Sequence, residues 1–168
     1  FGRAGGEIGA CRAEGIPAEV VRGISAAQGA GARLKVSLTH RRAARRLQYV
    51  TGHAEDGRLP TDFDWAVLAD PKATTAVYMA GKTIAEFAAR AIEHGLDSQT
   101  PAIAVSRATR GDEQVIASTL EDLPNELAAH AIPGPLVVLI GQVLSAYEAA
   151  APALALDRAA PRPERVCS

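Results

Sequence analysis

The sequence predicts an α/β fold built on a mixed sheet, and three observations carry that prediction. Segments with strand periodicity alternate with segments of helical periodicity along most of the chain. One pair of strand-like segments, 102–106 and 114–118, is separated only by the polar stretch 107–113, so the sheet must hold at least one antiparallel pair. With 48% hydrophobic and 22% charged residues over 168 positions, the chain has the apolar content that a packed core requires.

In chain order, residues 4–14 place Ile8 and Cys11 on one helical face and stop at Gly15, and 16–21 then reads as a short strand. Gly23-Ile24-Ser25 turns the chain into an alanine-rich helix. A strand at 47–51, a loop with Gly57 and Pro60, a short helix at 64–69 and a strand at 75–79 follow. Ile84, Phe87, Ala88, Ala91 and Ile92 form one apolar stripe, with Thr83 and Glu86 spaced as a capping box and Gly95 as the stop. After the hairpin comes a helix at 122–131, and the nearly continuous apolar run 136–143 reads as a buried strand. Beyond Tyr147 the proline- and alanine-rich remainder reads as a loosely ordered tail. The arginine-rich stretch 33–46 marks a shift in composition and the expected domain boundary.

Charge excludes some classes of partner. Lys and Arg total 18 against 19 Asp and Glu, a formal net charge of −1, so no global basic field invites nucleic acid or an anionic membrane, and neither is an expected partner. The most apolar stretch, 136–156, is broken by Gln142, Ser145, Glu148 and Pro152 and falls short of the ~20 apolar residues of a membrane span. Cys11 and Cys167 lie at opposite ends without metal-ligand spacing, so neither a disulfide framework nor a metal is expected, and a reducing cytoplasm is the expected compartment. The chain opens on Phe1 with no secretory leader pattern, and the expectation is that it begins inside a longer protein.

Few residues advertise chemistry. Arg41, Arg42, Arg45 and Arg46 concentrate positive charge, and guanidinium groups grip carboxylates and phosphates bidentately; the plainer reading is a solvated helix face. Arg3 stands in a glycine-rich turn ahead of a helix, where backbone N–H groups favour anions, although the phosphate-loop spacings are absent. His53 follows a strand end, a common place for functional loops, but a lone histidine there is more often a hydrogen-bonded structural residue, while His94 and His130 suit helix C-termini. Asp112, Glu113 and Glu121 form no convincing carboxylate pair, and no G-x-S-x-G context supports a nucleophilic serine. Met79 ends a strand before Ala80-Gly81, where backbone can approach a ligand; core packing is the plainer role.

The ordered segments FGRAGGE (1–7), GIPAEVVRGISAA (15–27), SLTHRRAAR (37–45), YVTGH (49–53), DWAVLADPKATTAVYMAG (64–81), TPAIAVSRAT (100–109), STLEDLP (118–124) and GPLVVLIGQV (134–143) resemble the tetrapyrrole methylase family, and specifically its members that act on uroporphyrinogen III. The resemblance implies two α/β domains, with 1–45 ending the first, 46–144 forming the second and 145–168 the tail. It implies a homodimer that transfers methyl groups from S-adenosylmethionine to C2 and C7 of uroporphyrinogen III, giving precorrin-2 for sirohaem and cobalamin. By position, Ser25, Ala26, Met79 and Ala108 match cofactor contacts, Arg3 and Arg41 match arginines that face the acidic tetrapyrrole, and Arg3 and Glu7, the latter one of two adjacent family glutamates, are the catalytic candidates that the resemblance implies. Gly6 stands where the family carries a glutamate, and Arg22, Ala80, Ser106 and Gln142 also depart from its pattern. These departures keep open a second reading, a non-catalytic module of the same fold that dimerises or binds tetrapyrrole without alkylating it.

Overall fold

The computed structural model describes residues 4–132 and 134–150. Five strands form one sheet in the order β1-β2-β5-β3-β4: β1 (Arg46–Thr51), β2 (Ala73–Tyr78), β3 (Pro101–Ser106), β4 (Gln114–Thr119) and β5 (Leu136–Ile140). Strands β1 and β2 are parallel, whereas β2–β5, β5–β3 and β3–β4 are antiparallel, so the sheet is mixed as the hairpin requires. The helices are α1 (Ala4–Ala13), α2 (Ala26–Leu34), α3 (Trp65–Leu68), α4 (Ile84–Glu93), α5 (Leu123–His130) and α6 (Ser145–Ala150).

The period of two along the central strands sorts side chains between two cores. Val77, Ala102, Ala104, Val138 and Ile140 face one side, under the stripe Ile84, Phe87, Ala88 and Ala91 of α4 and beside Leu123 of α5. Ala76, Ile103, Val105, Val137 and Leu139 face the other, under Ala27, Ala30 and Leu34 of α2. Phe63 and Trp65 close the first core through edge-on contacts, 5.5 Å between their own centroids and 6.0 Å from Phe63 to Phe87. Alanine and glycine dominate α2 because its backbone lies close to its surroundings: a Cβ at Gly31 would meet Leu38 Cγ at 3.1 Å.

The structure departs from the sequence reading at four places. Residues 16–21 form no strand; Ile16, Val20, Val21 and Ile24 are exposed, and a strand without a pairing neighbour gains no ladder hydrogen bonds. Thr83 makes no capping box with Glu86, because its hydroxyl donates instead to the Gly52 carbonyl across the β1–β2 pair. The last strand stops at Ile140, since Gly141 (φ 151°) breaks the ladder and a 3₁₀ turn at Gln142–Leu144 leads into α6, so 145–150 is helical and only 151–168 of the expected tail lies outside the described residues. The arginines 41–45 occupy a tight turn and not a helix face: His40 and Ala44 exchange backbone hydrogen bonds of 2.6 and 3.0 Å around it.

Candidate functional site

The carboxyl ends of β1, β2 and β3 and the amino end of β5 meet at one end of the sheet, and hydrogen bonds there bring distant segments together. Met79 N–H donates to Leu136 O at 3.3 Å, and Arg107 N–H to Pro135 O at 2.9 Å. The amino end of α2 is tied to the same place: Ala27 N–H, which has no partner within its own helix, donates to the Tyr78 hydroxyl at 3.0 Å. Tyr49 and Tyr78 pack edge-on at 5.9 Å, and the Ser25 hydroxyl lies 3.4 Å from that of Tyr49. Ser25, Ala26, Met79 and Ala108, more than 80 positions apart at their extremes, thus flank one set of strand ends.

Each has a local cause. Ser25 is the N-cap of α2, its side chain accepting from Gln28 N–H while Gln28 Oε1 accepts from Ser25 N–H at 2.8 Å, a complete capping box that fixes where the helix starts. Met79 adopts a left-handed backbone (φ 57°), uncommon for a residue with a side chain, and that side chain is 55% exposed, so it does not pack in the core. Its carbonyl is 3.1 Å from His53 Nδ1, and Gly52 N–H bonds to Tyr78 O at 2.6 Å, which locks the ends of β1 and β2 together. No side chain fits at Gly52: a Cβ there would lie 2.8 Å from Ala80 Cβ. Ala108 sits between two left-handed residues, Arg107 (φ 50°) and Thr109 (φ 68°), at the start of the β3–β4 loop.

The other candidates lie elsewhere. Arg3 is outside the described residues. Glu7 is exposed on α1, a helix with no buried residue, and makes no hydrogen bond or ion pair among the described residues. Arg41 is exposed at the amino end of β1, across the sheet from the strand ends above, where Arg41, Arg42, Arg45, Arg46, Asp70 and Lys72 line a cavity of about 360 Å³. Arg46 is neutralised there by Asp70 at 2.8 Å, and Arg45 Nε donates to the Arg41 carbonyl at 3.0 Å. His94 and His130 bond the carbonyls four residues earlier, Arg90 and Glu126, each at 2.8 Å, as helix C-termini favour.

Sequence reasoning missed Tyr78, gave Thr83 a capping role in place of its bond to Gly52, and did not pair Glu113 with Arg33. Glu113 is buried at 4% exposure, accepts Thr109 N–H at 2.6 Å, and its Oε1 lies 2.8 Å from Arg33 Nε on α2. No spacing rule links positions 33 and 113; only the placement of α2 over β5 and β3 reveals the pair. Among the described residues no group of His, Cys, Asp and Glu is placed to hold a metal ion, and no helix is long and apolar enough to cross a membrane.

Residues 1–124 match the family model of the tetrapyrrole (corrin/porphyrin) methylases. A uroporphyrinogen-III C-methyltransferase of Paracoccus denitrificans is 44% identical over 149 residues, covering 88% of this chain and 51% of the relative. A sirohaem synthase of Gluconacetobacter diazotrophicus is 45% identical over 145 residues, 86% of this chain and 30% of that protein. In three dimensions, the uroporphyrin-III C-methyltransferase of Thermus thermophilus superposes with a TM-score of 0.72 at 28% identity, covering 87% of this chain and 60% of that one. The same enzyme solved with S-adenosylhomocysteine gives 0.72 at 27% identity. The chain therefore spans about half the length of the first of these relatives.

Proposed function

From its place in the tetrapyrrole methylase family, to which the chain belongs, we propose that it forms the cofactor-facing half of an S-adenosylmethionine-dependent enzyme that methylates uroporphyrinogen III at C2 and C7, giving precorrin-2 for sirohaem and cobalamin. The observation that carries the proposal is the convergence of Ser25, Ala26, Met79 and Ala108 on one end of the sheet. These residues fit a nucleoside-bearing cofactor. Among the described residues the Met79 carbonyl has one hydrogen-bond neighbour, His53 Nδ1, and a carbonyl oxygen has two lone pairs, so one acceptor direction remains for an amino group. Ala26 opens α2, where the first N–H groups lack intrahelical partners, and it and Ala108 are too small to obstruct an approach to backbone.

When bound, S-adenosylmethionine supplies an electrophilic methyl group on a sulfonium sulfur. The work left to this chain is orientation: holding the donor still relative to the acceptor carbon removes an entropic share of the barrier. Arg41, at the opposite end of β1 from Met79, takes a substrate carboxylate remote from the carbon being methylated, with Arg42, Arg45 and Lys72 around the same cavity. Arg3 takes a second carboxylate, and Glu7 handles the proton lost from elsewhere on the macrocycle after each transfer, since the methylated carbon, now bonded to four carbons, has no proton to give and stays saturated. We assign 1–45 to the end of a first domain, 46–144 to a second that begins where Arg46 opens the sheet, and 145–168 to a tail that starts with α6. The active unit is a homodimer in the cytoplasm.

The test is incubation of radiolabelled S-adenosylmethionine and freshly generated uroporphyrinogen III with the natural full-length polypeptide and, separately, with the 168-residue chain. Labelled precorrin-2 is expected from the former and none from the latter, because the chain matches only about half of its relative. A folded full-length protein that transfers no label overturns the enzymatic reading in favour of the non-catalytic module.

A further inference from the structure

We propose that Glu113, together with Arg33, is a positioning residue that clamps the β3–β4 loop onto α2 and so sets the distance between the two backbone segments that receive the cofactor. The inference rests on the reading of Ser25–Ala26 and Ala108 as cofactor-facing, and deepens it by naming what holds them in register.

Three observations support the clamp. Glu113 is a buried carboxylate at the end of a surface loop, an expensive placement unless its charge is met. It is met from two elements at once: Oε2 accepts Thr109 N–H at 2.6 Å, while Oε1 faces Arg33 Nε of α2 at 2.8 Å, as a charge contact and not an in-line hydrogen bond. The Thr109 bond pins a residue at φ 68°, next to Ala108 and two residues beyond Arg107 at φ 50°. Two side-chain-bearing residues in the left-handed region do not hold that shape unless something over-determines it.

The third observation is the fit of α2. Gly29 lies one turn before Arg33, and a Cβ there would come within 2.8 Å of Thr109 Cγ2, so the helix backbone rests on the pinned loop residue itself. Gly29 and Arg33, four residues apart, present one face of α2 to the loop. A packing role alone would be served as well by an apolar residue at 113. The carboxylate is suited to something narrower, a fixed backbone shape at 107–109 joined to a fixed helix.

The experiment measures S-adenosylhomocysteine affinity by calorimetry in the natural full-length polypeptide, together with amide hydrogen exchange across 107–113. Glu113→Ala is expected to weaken binding by about tenfold or more, the size expected for losing a charged hydrogen bond, and to speed exchange at Thr109. Glu113→Gln keeps an acceptor for Thr109 N–H but not the charge facing Arg33 and is expected to recover part of the lost affinity, whereas Glu113→Met, which keeps the bulk without the acceptor, is expected to bind as weakly as Glu113→Ala; equal recovery by both overturns the positioning role in favour of packing. Arg33→Ala, on a side chain 40% exposed, carries the test if Glu113→Ala fails to fold, with weakened affinity again expected. Faster exchange in the loop with unchanged affinity overturns the positioning role, and unchanged exchange at Thr109 overturns the clamp. The underlying cofactor reading fails separately, in the unmodified protein: S-adenosylhomocysteine would then bind without protecting the amides at 25–27, 79 and 107–109.

Discussion

Thr83 offers the sharpest test of how the end of β1 is held. Its side chain is buried at 6% exposure, and its hydroxyl donates to the Gly52 carbonyl, itself in a buried residue beside His53. Thr83→Val keeps the shape and removes the donor, leaving a buried carbonyl without that partner; the cost is about 1–3 kcal/mol. For a domain of this size each kcal/mol lowers the melting midpoint by about 2–4 °C. Glu86 is the contrast, because it is exposed and the Thr83 side chain makes no cap bond. Glu86→Ala should then cost only the small helix-dipole contribution, about 0.3–1 kcal/mol. Urea titration of both variants and of Thr83→Ser, fitted with a common slope, decides the matter. The reasoning is refuted if Thr83→Val matches the parent protein, or if Glu86→Ala costs as much as Thr83→Val, as a true capping box would require.

Three further outcomes follow from the same geometry. Met79→Leu changes an exposed side chain on a backbone held by Leu136 and His53, so S-adenosylhomocysteine affinity should stay within about tenfold, whereas Ala80→Pro, which disfavours the left-handed conformation at Met79, should abolish it; calorimetric titration of both checks the pair. Gly52→Ala forces a Cβ to within 2.9 Å of Ala80 Cα, a backbone atom that cannot swing aside, and should cost about 1–3 kcal/mol by urea titration. Arg41→Ala should weaken tetrapyrrole binding by about ten- to a hundredfold while leaving S-adenosylhomocysteine affinity unchanged, since Arg41 lies across the sheet from Met79; an equal loss of both would mean misfolding.

The fold was legible where a local pattern and a tertiary partner agree. The stripe Ile84, Phe87, Ala88 and Ala91 became the buried face of α4, and the polar stretch 107–113 became the turn of an antiparallel pair. The pattern misled where no partner exists or a better one competes. Residues 16–21 carry strand-like valines and isoleucine, yet they pair with nothing described, and propensity alone does not hold a strand. Thr83 and Glu86 have the spacing of a capping box, but a carbonyl 31 residues earlier in the chain competes for the hydroxyl and wins. Buried oxygens need a donor more than exposed helix starts do, because water can serve the latter.

The candidate site divides along the same line. Position against a family pattern located Ser25, Ala26, Met79 and Ala108, and the folded chain brings all four to one end of the sheet. What position did not supply is why they stay there. The left-handed peptide at Met79 is shared between β5 and His53, the start of α2 is tied down by the Tyr78 hydroxyl, and the turn at Ala108 is held by Glu113. Each of these ties spans more than 25 residues or bends back within a loop, so no periodicity reports it. Each also fixes backbone and not side chains. On the proposed reading, in which the cofactor meets peptide groups, residue identity at the contact matters less than the tie, so Tyr78, His53 and Glu113, and not Met79 or Ala108, are the positions where substitution should cost most affinity.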